Sequence, residues 1–260
     1  MKLKDKVAVV TGAGAGIGKA IAREFVKEGA KVALCDLSKE KLAAVEAELA
    51  AAGGSVTSIR ADVGFQKDVQ SLFEAVLKHF GGIDIMVNNA AVIHQAKVVD
   101  TTEEDWDRLL RNNLKSVFLC CREAARIMIR QERGGKIINL SSIHAVLSEP
   151  QASAYTAAKG GVEAFSRTLA TEVAPWHINV NCIEPGATYT ELTIPMYTEQ
   201  VKKALFQRIP FKEIAQPEWI ARGAVFLASE DSRYMTGSVL TLDGGYIMDG
   251  SLPGAAYWEK

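Results

Sequence analysis

Tyr155 and Lys159 stand four positions apart in the run Ser153-Ala154-Tyr155-Thr156-Ala157-Ala158-Lys159-Gly160-Gly161. At helical spacing both side chains leave one face, a single turn apart. A free phenol has a pKa of about 10 and is a poor base at neutral pH. A neighbouring ammonium favours its ionised form. Such a pair could take a proton from an alcohol, or return one to a carbonyl oxygen. The remaining residues of the run are small, which would let a bound molecule approach the helix closely. Ser141 and Ser142 close an apolar run just upstream, where a hydroxyl could steady charge on a substrate oxygen.

The elements that must position this pair alternate between strand and helix. Strand-like runs cover 6–12, 31–36, 55–63, 83–91, 134–142, 177–186 and 238–245, with helical patterns at 16–29, 38–54 and 66–82 among them. The strands are nearly continuous apolar runs, which marks a parallel sheet covered by helices on both faces. No linker or repeat divides the chain, so residues 1–260 are expected to form one domain. The stretch 188–216 contains Pro195 and Pro210, with Pro217 just beyond it, and is expected to be an irregular insertion near the sheet edge. The tail 246–260, with Tyr246, Tyr257 and Trp258, is expected to pack on a neighbouring subunit.

Between the first strand and the first helix lies Thr11-Gly12-Ala13-Gly14-Ala15-Gly16-Ile17-Gly18. Glycines there let main-chain N–H groups approach a phosphate, and the helix start adds partial positive charge. Asp36 ends the second strand, 18 residues beyond Gly18. It is placed to accept from an adenosine ribose diol and to repel a 2′-phosphate, which points to NAD rather than NADP. It could instead cap the helix beginning near Ser38. No lysine or arginine lies between Gly12 and Gly18 to draw in a 2′-phosphate. Asp62, ending the third strand, could bond an adenine amino group or stay solvated.

Together these residues resemble the classical short-chain dehydrogenase/reductase family. The motifs that carry the resemblance are the glycine loop at 11–18, Asn88-Asn89-Ala90-Ala91, Asn113 in Asn112-Asn113-Leu114-Lys115, Ser142, the Tyr155/Lys159 pair, and Pro185-Gly186-Ala187-Thr188-Tyr189-Thr190. They occur in the family's order across nearly the whole chain. One departure is Ala91, where the family commonly has glycine. The resemblance implies an α/β, single-domain Rossmann-type doubly wound parallel sheet of about seven strands. It implies hydride transfer between a secondary alcohol and a nicotinamide cofactor, with Asn113, Ser142, Tyr155 and Lys159 as the catalytic set. The family's spacing selects Ser142 over Ser141 and Asn113 over Asn112, and gives Asn113 the task of holding a relay water. Asn112-Asn113 suits poor helix geometry and a local bulge. Carried onto this sequence, the cofactor contacts fall on Gly12, Gly16, Ile17 and Gly18, on Asp36, Asp62 and Val63, and on Asn89, Tyr155 and Lys159. Pro185, Gly186, Thr188 and Thr190 would pass the nicotinamide. The family also implies a homotetramer, with helices around 102–131 and 152–174 in the interface.

The substrate is less determined. His94 follows the fourth strand, His144 follows Ser142, and Glu149 and Gln151 precede Tyr155. Polar groups at these positions, with Ser142 and Tyr155, suit a sugar or polyol better than a sterol or long acyl chain. The alternatives are a 3-oxoacyl or other ketone reductase and, from a different class, a catalytically idle NAD(H)-binding regulator. The net charge of −1 gives no reason to expect nucleic acid or an anionic membrane as partner. Cys35, Cys120, Cys121 and Cys182 show no metal spacing, so no metal is expected, and free buried thiols are. With no leader-like or membrane-length apolar run, the expected location is the cytoplasm.

Overall fold

The computed structural model describes residues 1–250. Seven parallel strands form one sheet in the order β3-β2-β1-β4-β5-β6-β7. They are β1 (Val7–Thr11), β2 (Lys31–Asp36), β3 (Val56–Arg60), β4 (Ile85–Asn88), β5 (Gly135–Leu140), β6 (Ile178–Pro185) and β7 (Val239–Leu242). The apolar runs are continuous because both faces are covered. In β1, Val7 and Val9 enter one core while Ala8 and Val10 enter the other.

The first core is closed by α3 (Gln66–Phe80), α5 (Ser116–Gln131) and α6 (Ser153–Val173). The second is closed by α1 (Gly16–Lys27), α2 (Lys39–Ala51) and α8 (Pro217–Ala228). Strand order reverses between β1 and β4, so the crevice beyond their carboxyl ends is where a doubly wound sheet takes a ligand. The four cysteines are free and buried, as expected, and burial pushes the Cys35 thiol up to about 12.

Short α4 (Glu103–Leu110) runs into a π turn at Arg111–Lys115 before α5 begins, so the expected bulge at Asn112-Asn113 is a wide turn. The stretch 188–216 is less irregular than its prolines suggest. It holds a 3₁₀ turn at Ile194–Met196 and α7 (Glu199–Arg208), whose first turn is capped by the Thr198 hydroxyl accepting from the Val201 N–H (3.3 Å). No residue of α7 is buried, and its short apolar set, Val201, Ala204 and Leu205, lies between prolines that read as loop. The tail expectation falls largely outside the described residues. Of the three aromatic residues named there, Tyr246 is described, with the Arg208 guanidinium 4.6 Å from its ring centre.

Candidate active site

The glycine loop is fastened to the end of β4. The Thr11 hydroxyl accepts from the main-chain N–H groups of Asn89 (3.0 Å) and Ala90 (3.1 Å). In return the Asn89 amide donates to the carbonyls of Thr11 (2.9 Å) and Gly12 (3.2 Å). Asn89 therefore shapes the loop with its side chain. Gly12 has φ +63°, and a β-carbon on Gly18 would come within 2.1 Å of the Gly12 carbonyl oxygen. Only glycine permits that closure. Helix α1 then starts at Gly16 with Ala15 before it, no side-chain cap and no acid in its first turn. Its leading N–H groups have no intrahelical acceptor and are left for an anion. A nicotinamide dinucleotide fits this cradle through its pyrophosphate.

Asp36 lies beside the loop, its Oδ2 accepting from the Gly14 N–H (3.0 Å) and its Oδ1 from the Ser38 N–H (3.1 Å). The carboxylate thus shapes the turn as well as facing the crevice, while the Ser38 hydroxyl caps α2. Asp62 accepts from the Gly64 N–H (2.9 Å), a local turn bond. Val63 is buried in the first core, so contact with a ligand from that position falls to its main chain. The sequence reading missed Lys41. Its stem packs near Gly14 and Asp36, and its ammonium pairs with Glu191 at 2.6 Å. A lysine does stand beside this subsite, delivered by α2 rather than by the loop.

Ser142, Tyr155 and Lys159 converge at the end of β5. Lys159 is 3% exposed, its Nζ donating to the Leu140 carbonyl (2.7 Å) and lying 5.6 Å from the Tyr155 ring centre. The Ser142 oxygen accepts from the His144 N–H (3.2 Å), which leaves its own proton to donate outward. Burial pushes the Tyr155 phenol above its ordinary value, with the facing Ser142 hydroxyl opposing. Burial also pushes Lys159 down to about 8. The chain alone therefore holds Tyr155 protonated, and the further positive charge that favours the phenolate must come from what binds.

Asn113 is fully buried, but its amide is committed at both ends to Val92, accepting from the N–H (2.8 Å) and donating to the carbonyl (2.8 Å). It pins the segment leaving β4. On α6, Gly161 is small for a reason other than ligand approach: a β-carbon there would meet Leu114 of the π turn at 3.0 Å.

Pro185 ends β6, and Gly186 lies so close to Asp243 that a β-carbon would fall 2.8 Å from its Cα. Thr188 is buried, its hydroxyl donating to the Gly186 carbonyl (3.0 Å). Thr190 reaches back to the glycine loop, 3.2 Å from where a β-carbon on Gly16 would stand. Tyr197, unnoticed in the sequence, accepts from the Thr188 N–H (3.1 Å) and adds to the upward pressure on Tyr155. Two of the proposed substrate residues lie together, and a third pairs with an acid of α4. His144 Nε2 lies 3.9 Å from Glu149, and burial lowers the His144 pKa. His94 faces Asp105 of α4 at 3.4 Å. Gln151 is exposed in a left-handed conformation (φ +69°), and its carbonyl accepts from the Ala96 N–H (2.9 Å), which ties the two segments together. Among the described residues no group of three or more histidine, cysteine, aspartate or glutamate side chains could hold a metal, and no helix is long and apolar enough to cross a membrane.

Comparison with known proteins adds a family to this geometry. The family model described as enoyl-(acyl carrier protein) reductase matches residues 12–247. A 3-oxoacyl-[acyl-carrier-protein] reductase of Thermotoga maritima is 37% identical, over 95% of this chain and 100% of its own length. A 3β-hydroxysteroid dehydrogenase of Eggerthella lenta is 38% identical, over 95% of each chain. Glucose 1-dehydrogenase 2 of Bacillus subtilis is 36% identical, over 95% of this chain and 96% of its own.

Proposed function

The chain belongs to the classical short-chain dehydrogenase/reductase family and is an oxidoreductase acting on alcohols and the corresponding ketones; from that premise we propose that it oxidises a sugar or polyol with NAD+. The observation that carries the reading is the convergence of Ser142, Tyr155 and Lys159 at the end of β5, on the same carboxyl edge of the sheet as the uncapped start of α1. The cofactor, when bound, accepts the hydride and in its oxidised form adds positive charge to the site. Ser142 donates to the substrate oxygen and holds it. Tyr155 takes the hydroxyl proton as the carbon loses hydride, and gives it back in the reverse direction. Lys159, fixed by the Leu140 carbonyl, keeps a positive charge one turn from the phenol and would help to hold the cofactor ribose. The complete set argues against an idle regulatory binder. A homotetramer in the cytoplasm, built through α4, α5 and α6, completes the proposal.

The paired polar groups on the segments after β4 and β5 support the sugar reading, as does the likeness to a glucose dehydrogenase. A second reading, reduction of a 3-oxoacyl or other apolar ketone, is favoured by the exposed Val146 after β5 and the exposed Leu192, Ile194 and Met196 after β6. The two separate in one experiment, following NADH absorbance with sugars, polyols, hydroxy acids and 3-oxoacyl thioesters. A sugar or polyol is expected to give the highest kcat/KM, and Glu149→Ala to raise its KM several-fold more than that of a simple secondary alcohol. If thioesters win, the second reading replaces the first.

Cofactor choice is proposed to rest on Asp36. Asp36→Asn keeps an oxygen for Gly14 while removing the charge that repels a 2′-phosphate, and Lys41 is then free of an opposing carboxylate on that side. The ratio of kcat/KM for NADP+ to that for NAD+ is expected to rise by about tenfold or more, the equivalent of ~1.4 kcal/mol. An unchanged ratio, or a wild type that already prefers NADP+, refutes the assignment.

A further inference from the structure

A second cleft, of about 700 Å³, opens at the other end of the sheet, where β1, β4, β5 and β6 begin. Four cationic side chains line it: Lys6, Arg133, Lys136 and Arg233. One of them is already engaged. Arg133 pairs with Asp84 at 3.0 Å, and Asp84 also accepts from the Val7 N–H (2.8 Å). The other three form no ion pair among the described residues, although Glu132 and Glu230 also line the cleft.

Lys136 is the unusual member. It is the second residue of β5, on the same strand face as Ile138 and Leu140, and only 8% exposed. A charge that deep normally has a charged partner or is destabilising. Its Nζ donates instead to a neutral acceptor, the Asn179 amide oxygen (2.8 Å). Burial pushes its pKa down; Glu230 pulls the other way, and Lys6 and Arg233 press it lower still. Three cations therefore share one concave site with two acids, and none of the three is in an ion pair among the described residues.

We propose that this cleft binds a phosphate group, free or carried on a small metabolite, between Lys6, Lys136 and Arg233. A dianion there would face all three at once and offset two of their three charges, and Arg233 offers the planar fork that suits phosphate oxygens. Ser142 lies past the opposite end of β5, about 20 Å away at ~3.3 Å per residue, so the site is separate from the catalytic one.

The test is calorimetric titration of the NADH-saturated protein, which keeps the start of α1 filled. Inorganic phosphate and glycerol phosphate are titrated against chloride at matched ionic strength. Saturable binding in the millimolar range is expected for at least one of them, and weakening by about tenfold or more in Arg233→Gln and in Lys136→Met. Arg233 is exposed, so its variant keeps the fold and its kcat should match wild type. Binding of phosphate alone assigns the site to the free anion, and equal or tighter binding of glycerol phosphate assigns it to a phosphomonoester. No saturable heat from either ligand, or binding retained in both variants, overturns the proposal.

Discussion

Tyr155→Phe is expected to lower kcat by about 10²- to 10⁴-fold, the usual worth of a positioned general acid–base, while fold and dinucleotide affinity stay as they are. The change removes one oxygen and keeps the ring, so the contact with Lys159 survives. Among the described residues that oxygen makes no hydrogen bond to the main chain, so its loss orphans no backbone group there. Because burial holds the phenol up in the free chain, ionisation depends on the positive charge of the bound oxidised cofactor. The wild-type oxidation rate should therefore rise with pH, whereas the residual rate of Tyr155→Phe should be flat over the same range. Steady-state rates from pH 6 to 10, with NADH fluorescence to measure binding, check both parts. A loss of less than about tenfold would remove Tyr155 from the role.

Much of this arrangement was legible in the sequence because main-chain geometry writes itself in residue types. Gly12 and Gly18 are dictated by a backbone crossing that admits no β-carbon, and the strands by being covered on both faces. Tertiary partners were not legible. The Asn113 amide bonds Val92 at both ends, a contact that depends on how the π turn meets the segment leaving β4. Lys41 escaped notice because it comes to the ribose subsite from another helix. Tyr197 and α7 were hidden by prolines and by the lack of a buried stripe. His94, His144, Glu149 and Gln151 do lie on facing segments, but the histidines have acidic neighbours, a detail that residue type alone does not give.

Lys159→Met should separate activity from stability more sharply than any other change. Activity is expected to fall by about 10²-fold or more, as when a preorganised charged donor is removed from an active site. The fold, in contrast, should tolerate the change or gain from it, with a sign that depends on pH. Burial lowers the lysine from 10.5 to about 8 in the folded chain. Below about pH 8 both folded and unfolded chains carry the proton, so the full penalty of a buried ammonium weighs on the fold; this amounts to about 3 kcal/mol. Between about 8 and 10.5 the folded chain releases the proton while the unfolded chain keeps it, so wild-type stability gains steadily across that window. Methionine fills a similar volume without the charge but leaves the Leu140 carbonyl without its donor, a loss of about 1–3 kcal/mol. The two effects nearly cancel at neutral pH. By pH 10 the relief from burying a charge has largely gone, and only the lost hydrogen bond remains. Urea unfolding of the cofactor-free protein at pH 7 and pH 10 is therefore expected to show Lys159→Met close to or above wild type at the lower pH and below it at the higher. A variant most destabilised at pH 7, or one that keeps more than about a tenth of wild-type turnover, would show that Lys159 is neither a strained buried cation nor a working part of the site.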